Sequence, residues 1–125
     1  MDSLSPNIFV KDIDETINFY KTIGFKVDMT VPEEGDFVWV MMTCRKVSFM
    51  FQTFESLGSE QPEISRQNGG SLLLYIQIKE IRQFYDKIKD KVEVIKGLEE
   101  TFYGATEFSI LDNNGYILTF AENEE

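Results

Sequence analysis

The sequence repeats itself imperfectly. The segment VKDI at residues 10–13 returns as IKEI at residues 78–81, and each copy is followed by a Phe-Tyr pair, at residues 19–20 and 84–85. The apolar segment VSFMF at residues 47–51 returns as YILTF at residues 116–120. The segments at 10–13 and 47–51 return after 68 and 69 residues, respectively. Since self-similarity at one offset marks repeated structural units, the sequence predicts two modules of the same fold.

The two modules are expected to form one domain. With 125 residues, 42% of them hydrophobic and 11 of them phenylalanine, the chain is long enough to bury one sizeable core, whereas each half alone would be marginal. We therefore predict a single domain at 1–125, with module one at 1–53 and module two at 71–125. The polar stretch at 54–70 is predicted to be a mobile linker.

Charge and composition exclude several partners. Twelve basic against 22 acidic residues give a net charge of −10, which repels phosphate backbones and anionic lipid surfaces. We expect no nucleic-acid partner. Because the sequence has no apolar run of membrane-spanning length and no signal-peptide pattern, we also expect no membrane partner and a cytoplasmic location. The single Cys44 cannot form an intramolecular disulfide, and the chain has no histidine.

Periodicity and turn residues predict the same order of elements in each half. In module one, Asp12 is the predicted N-cap of a helix, with Glu15 completing a capping box, and Gly24 ends that helix. The predicted strands are 4–10, 25–31, 37–42 and 47–53, with a four-residue hairpin turn at 43–46. In module two, Ile81, Phe84 or Tyr85, and Ile88 mark a helix. The strands there are 72–78, a short one at 92–95, 107–111 and 116–121, with a turn at 112–115.

Four motifs in this order resemble the vicinal oxygen chelate superfamily, which includes glyoxalase I, extradiol dioxygenases, fosfomycin resistance enzymes and bleomycin resistance proteins. They are NIFVKD at 7–12, FYKTIGF at 19–25, YGATEF at 103–108 and DNNGY at 112–116. The resemblance implies an α+β fold of two βαβββ modules whose curved mixed sheets enclose a ligand cleft. It also implies a homodimer, and leaves open whether the modules pair within one chain or swap between chains.

The metal-using members of this superfamily place one ligand on each of four strands, usually histidine or glutamate. The resemblance carries these positions onto Ser5, Met50, Leu73 and Thr119. None of these side chains supplies the imidazole or carboxylate that a divalent cation needs. We therefore predict no metal, no cofactor and no metal-dependent catalysis.

Strand alternation predicts which side chains face away from the helices and line the cleft. Together with the matched loop and motif near the cleft rim, it gives nine candidate ligand-binding residues: Asn7, Phe9, Trp39, Met50, Gln52, Tyr75, Tyr103, Glu107 and Thr119. For Trp39, packing in the core or a dimer seam is an equal alternative. For Met50 the alternative is ordinary strand packing. For Tyr103 it is a hydrophobic anchor at a loop end, and for Glu107 a salt bridge or a solvated edge position.

The sequence is compatible with three functions, each from a different class. The first is a metal-free protein that binds a small organic molecule of cationic or aromatic character, similar to the bleomycin resistance proteins, with a sequestration or resistance-type role. The second is a lyase, isomerase or dioxygenase-type enzyme with an atypical or absent metal site. The third is a protein-interaction module with a vestigial cleft. The sequence favours the first, because no histidine is available for catalysis and the predicted cleft strands carry aromatic and neutral polar groups.

Overall fold

The computed structural model describes residues 1–123. The chain forms two compact units, Met1–Asn68 and Gly69–Glu125. None of the helices in the described part of the chain is both long and apolar enough to cross a membrane.

The first unit is a four-stranded mixed sheet with one long helix. Its elements are β1 (Asn7–Val10), α1 (Ile13–Thr22), β2 (Lys26–Val31), β3 (Trp39–Cys44), β4 (Val47–Thr53) and the one-turn helix α2 (Phe54–Leu57). The strand order is β1-β4-β3-β2, with β1 and β4 parallel and the other pairs antiparallel.

The second unit repeats this topology. Its elements are β5 (Leu73–Gln77), α3 (Ile81–Ile88), β6 (Glu93–Glu100), β7 (Ala105–Leu111) and β8 (Ile117–Asn123), in the strand order β5-β8-β7-β6. Asn7 lies opposite Met50 in the first sheet, and Tyr75 lies opposite Thr119 in the second. These pairs are related by the offsets of 68 and 69 residues, so the predicted α+β fold of two βαβββ modules is confirmed.

Helix α1 begins and ends where the sequence predicts. Asp12 Oδ1 accepts a hydrogen bond from the Glu15 backbone N–H at 3.0 Å, which satisfies one of the free donors at the helix N-terminus. At the other end Gly24 has φ +108°, and the Phe25 N–H donates to the Tyr20 carbonyl at 2.9 Å. This is the Schellman arrangement, in which a left-handed residue after the helix lets the chain turn back.

Helix α3 is capped from a different element. Glu80 has φ 57° and its side chain makes no cap hydrogen bond. Instead, the Glu122 carboxylate of β8 accepts from the backbone N–H groups of Glu80 and Ile81, at 3.0 and 3.1 Å. The two donors hold the pKa of Glu122 below its usual value. The start of α3 is therefore fixed to the end of the central strand β8.

Each sheet packs one face on its own helix through an aromatic core. In the first unit, Tyr20 of α1 is fully buried, and its ring centroid lies 4.7 Å from that of Phe51 and 5.4 Å from that of Phe25. In the second unit, Phe108 is fully buried between Tyr85 and Phe120, at 4.9 and 5.1 Å. Strand alternation leaves the opposite face of each sheet free of the helix.

Three predicted boundaries are wrong. Strand β1 begins at Asn7 rather than residue 4, since Pro6 has no N–H for a sheet ladder and contributes only its carbonyl, to the Met50 N–H at 2.9 Å. The β3–β4 turn contains two residues rather than four, because Cys44 pairs directly with Val47. Strand β6 extends to Glu100, well beyond residue 95, and it is an edge strand whose charged residues stay exposed.

Candidate functional site

The helix-free face of the second sheet carries a row of polar side chains. Because Tyr75 pairs with Thr119, and Thr119 pairs with Ser109 in the next strand, all three side chains point to this face. Glu107 lies two residues before Ser109 in β7 and opposite Ala121 of β8. The small Ala121 side chain leaves the space above β8 open, so groups on β5 and β7 can meet across it.

Glu107 is the centre of a cluster with two tyrosines. The Tyr75 hydroxyl donates to Glu107 Oε2 at 2.5 Å, and the Tyr103 hydroxyl donates to the same oxygen at 2.6 Å. Tyr75 comes from β5 and Tyr103 from the loop that precedes β7. Glu107 is only 8% exposed, whereas Tyr75 and Tyr103 are 49% and 57% exposed. The carboxylate is therefore buried beneath two half-exposed tyrosines, one from β5 and one from the loop before β7.

The loop between β6 and β7 places Tyr103 by its backbone conformation. Gly104 has φ +83°, a conformation that glycine adopts at little cost, and its N–H donates to the Thr101 carbonyl at 3.3 Å. The Thr101 hydroxyl also donates to the Ala105 carbonyl at 3.1 Å. This closed turn holds Tyr103 over the start of β7, within reach of Glu107.

The contact with Glu107 raises the pKa of both tyrosines. The hydrogen bond to Glu107, with burial as the second cause, raises the pKa of Tyr75 to about 12. The same two causes, in the same order, raise the pKa of Tyr103. Ionising either phenol would place a second negative charge beside the carboxylate, so both remain neutral hydrogen-bond donors at neutral pH.

The lysine of the neighbouring strand β6 is paired with an acid other than Glu107. Lys96 and Glu99 of β6 form an ion pair at 2.7 Å, and this contact raises the pKa of Lys96. Glu99 lies opposite Glu107 in the register of β6 and β7. Within residues 1–123 Glu107 forms no ion pair, and its side chain accepts hydrogen bonds from the two phenols alone. Neither alternative role of Glu107, a salt bridge or a solvated edge position, is observed.

The hydroxyls of Thr119 and Ser109 are hydrogen-bonded to each other at 2.8 Å. Both residues are buried, at 5% and 8% exposure. Thr119 is thus part of the floor of the face and has its hydroxyl already engaged. Ser109 is not identified from the sequence, although its position two residues after Glu107 on the same strand is the signal that places it on this face.

The first sheet presents a different helix-free face, which combines amide and aromatic groups. The Asn7 side-chain amide donates to Gln52 Oε1 at 2.9 Å, and Gln52 donates in turn to the Ser56 hydroxyl at 2.9 Å. The rings of Phe9 and Phe54 stack with centroids 6.4 Å apart. Neither Ser56 nor Phe54 is identified from the sequence, because both lie in the segment predicted to be a linker.

The nine predicted site residues therefore fall into two sets. In the second unit, Tyr75, Tyr103 and Glu107 form one hydrogen-bonded cluster, with Thr119 in the floor of the same sheet. In the first unit, Asn7 and Gln52 are hydrogen-bonded, Met50 lies opposite Asn7, and Trp39 lies opposite Gln52. Phe9 pairs in register with Gln52 and stacks on Phe54.

The four positions that hold a metal in related folds do not fit one here. Ser5 is hydrogen-bonded to Ser48 at 3.4 Å, Thr119 to Ser109, and Met50 and Leu73 offer only a thioether and an alkyl group. Hard and borderline divalent ions require carboxylate oxygen or imidazole nitrogen instead. In the part of the chain that the structure covers, no three His, Cys, Asp or Glu side chains are grouped so as to hold a metal ion.

Two mixed four-stranded sheets of βαβββ topology, each with one helix-free face, define the class of protein. The model of the Glyoxalase/Bleomycin resistance protein/Dioxygenase superfamily matches residues 3–120, and the chain belongs to this family. The predicted resemblance is thereby confirmed. No curated protein matches the sequence.

Solved structures share the fold at low sequence identity. A bleomycin-binding protein complexed with bleomycin is 20% identical, with a TM-score of 0.70 and coverage of 99% of this chain and 100% of that chain. A bleomycin resistance determinant encoded on transposon Tn5 is 21% identical, with a TM-score of 0.71 and full coverage of both chains. A glyoxalase/bleomycin resistance protein/dioxygenase from Nocardioides is 12% identical, with a TM-score of 0.80 and coverage of 100% and 85%.

Proposed function

We propose that this protein binds a small organic molecule of aromatic or cationic character in a metal-free site, in a sequestration or resistance-type role. One observation carries the proposal. The four metal-ligand positions of the fold hold Ser5, Met50, Leu73 and Thr119, while the side chains around them are aromatic or form hydrogen bonds. Such a surface retains an organic ligand by stacking, dispersion and a few hydrogen bonds.

Two of the structural neighbours support the same class of ligand. One is described as a bleomycin-binding protein complexed with bleomycin, and another as a bleomycin resistance determinant. Both cover essentially the whole of this chain. The net charge of −10 adds a physical reason to expect cations among the ligands, since an acidic protein raises the local concentration of cationic molecules.

The proposal is tested by ligand-induced stabilisation of protein whose metal content has first been measured by mass spectrometry. The panel contains bleomycin, aromatic amines, neutral aromatic compounds, and Zn²⁺, Ni²⁺ and Fe²⁺. Because a ligand that binds only the folded state stabilises it, we expect a higher melting temperature with at least one organic compound and no added metal. Trp39, the only tryptophan, gives an independent fluorescence signal. Stabilisation only in the presence of a metal ion contradicts the proposal.

A second candidate function, metal-independent catalysis, is favoured by the buried carboxylate of Glu107. A buried acid in a recess is the arrangement from which general bases are built. Both phenols, however, donate to the same carboxylate oxygen, and these two contacts hold the carboxylate in one position. The two functions are separated by product analysis: an enzyme converts many equivalents of a bound compound, whereas a binding protein returns it unchanged.

Assembly is a separate part of the proposal. We propose a cytoplasmic homodimer built from single-domain chains of two modules joined by the linker at 54–70. Light scattering coupled to size-exclusion chromatography measures the mass directly, and a particle of 14.5 kDa, the mass of one chain, contradicts the dimer.

A further inference from the structure

We propose that the cluster of Tyr75, Glu107 and Tyr103, which we call the acidic recess, binds a protonated organic amine. The inference deepens the proposed function and rests on it: it assigns the positively charged nitrogen of the ligand to one carboxylate. Its evidence is the free carboxylate oxygen of Glu107, the lack of an ion pair to this carboxylate among the described residues, and the aromatic walls.

The first step concerns which oxygen of Glu107 is free. Both tyrosine hydroxyls donate to Oε2, at 2.5 and 2.6 Å. Among the described residues, no hydrogen bond reaches Oε1. No fully buried side-chain oxygen or nitrogen in this part of the chain lacks a partner, so Oε1 keeps contact with solvent. One carboxylate oxygen is thus fixed by the protein and the other is available to a ligand.

The second step concerns charge. A carboxylate at 8% exposure loses much of its hydration, and a buried charge is costly unless a counter-charge or several hydrogen bonds replace the water. Here two neutral phenols supply hydrogen bonds but no positive charge. Lys96, the cation on the adjacent strand, is 2.7 Å from Glu99 and acts on Glu107 only at longer range, without an ion pair. A ligand ammonium group would supply the direct counter-charge that no residue within 1–123 provides.

The third step concerns the walls of the recess. About half of the surface of Tyr75 and of Tyr103 is exposed, and Phe102 beside Tyr103 is fully exposed, with the two ring centroids 5.1 Å apart. The faces of aromatic rings attract cations, by about 0.5–1 kcal/mol per exposed contact. The hydroxyl oxygens can also accept hydrogen bonds from N–H donors. Carboxylate and rings together favour an ammonium group attached to an apolar body.

The test compares two probes that differ in charge and little in shape, 1-naphthylmethylamine and 1-naphthalenemethanol, by isothermal titration calorimetry at pH 7 and low salt. We expect the amine to bind at least about tenfold more tightly than the alcohol, since a desolvated carboxylate contributes strongly only to a cation. In Glu107→Gln, which preserves the shape and removes the charge, this preference should disappear.

The matched control is Glu93→Gln. Glu93 is an exposed residue of the neighbouring strand β6, and its side chain takes part in no hydrogen bond or ion pair in the described part of the chain. This variant changes the net charge by the same amount and should retain the preference for the amine. A further variant, Tyr103→Ser, removes one wall without touching the core and should weaken amine binding about two- to fivefold. It keeps the test valid if Glu107→Gln does not fold.

The outcomes are distinct. An amine preference that is lost in Glu107→Gln and kept in Glu93→Gln supports the acidic recess. Equal binding of both probes, or amine binding that is unchanged in Glu107→Gln and in Tyr103→Ser, overturns it and leaves the proposed function intact. Absence of binding by both probes also overturns it, whereas the proposed function fails only when no organic compound of the wider panel binds.

Discussion

The hydroxyls of Thr119 and Ser109 form a 2.8 Å hydrogen bond across β8 and β7, at one of the four positions that the sequence resemblance assigns to metal ligands. We predict that Thr119→Val, which keeps the shape and removes the hydroxyl, lowers the free energy of unfolding by about 1–2 kcal/mol because Ser109 then lacks this partner. Urea denaturation followed by circular dichroism measures the change.

The double variant Thr119→Val with Ser109→Ala provides the control for this interaction. Removing both hydroxyls leaves no unpaired polar group, so its cost should be less than the sum of the two single changes. Additive costs would show that the two hydroxyls stabilise the sheet independently of each other.

The second prediction concerns alkaline titration. The hydrogen bond to Glu107 raises the pKa of Tyr75 from its usual 10.0 to about 12, so the folded state favours the neutral phenol. Its contribution to stability is therefore complete below pH 10 and is lost as the pH rises from 10 through about 12. Because the pKa of Tyr103 is raised as well, ultraviolet titration should show more than one phenol step above pH 10. The step near 12 should be absent in Tyr75→Phe and should move toward 10 in Glu107→Gln. A step near 12 that is unchanged in Tyr75→Phe would assign it to another tyrosine.

Much of the fold is predictable from the sequence because its signals are local or repeated. Asp12 and Gly24 define both ends of α1, and their cap geometry is observed. The predicted turn at the β3–β4 hairpin is too long by two residues. An error of two residues does not change which side of the sheet each side chain faces. Val40 and Met42 are therefore buried as predicted, and Trp39 lies on the other side.

The candidate site is less predictable because it depends on contacts between distant strands. Tyr75 and Glu107 are 32 residues apart and meet only because β8 lies between β5 and β7 with Ala121 under the contact. From the sequence, Glu107 is expected only near a cleft rim, because no local pattern shows that two phenols donate to it. Likewise, the capping of α3 by Glu122 joins residues 41 apart and has no local motif.

The third prediction tests that cap. The Glu122 carboxylate accepts two backbone N–H groups, and a neutral amide cannot replace both charge-assisted bonds, so Glu122→Gln should lower the melting temperature by a few degrees. The lowered pKa means that the contribution exists above pH 4.5, the usual pKa of a glutamate, and is lost as the pH falls through the folded-state pKa. The melting temperature of Glu122→Gln should therefore differ most from that of the original protein at pH 7, and only slightly at about pH 3.

Glu93→Gln again serves as the matched control for Glu122→Gln, because it removes one carboxylate from an exposed position of the same unit. It should melt close to the original protein at both pH values. A difference that is the same size at both pH values for Glu122→Gln would assign its effect to packing rather than to the charged cap.

The last prediction concerns the β7–β8 turn. Asp112 in this turn is only 6% exposed, and it organises the backbone around it. Its Oδ1 accepts from the N–H groups of Asn114 and Tyr116, at 2.8 and 2.9 Å, and Gly115 completes the turn with φ +84°. Asp112→Ala removes the acceptor from two backbone donors and should cost about 1–3 kcal/mol in urea unfolding. Asp112→Asn keeps one oxygen in the same place and should cost less. Equal losses in both variants would show that the charge, rather than the acceptor geometry, holds the turn that positions β8 against β7.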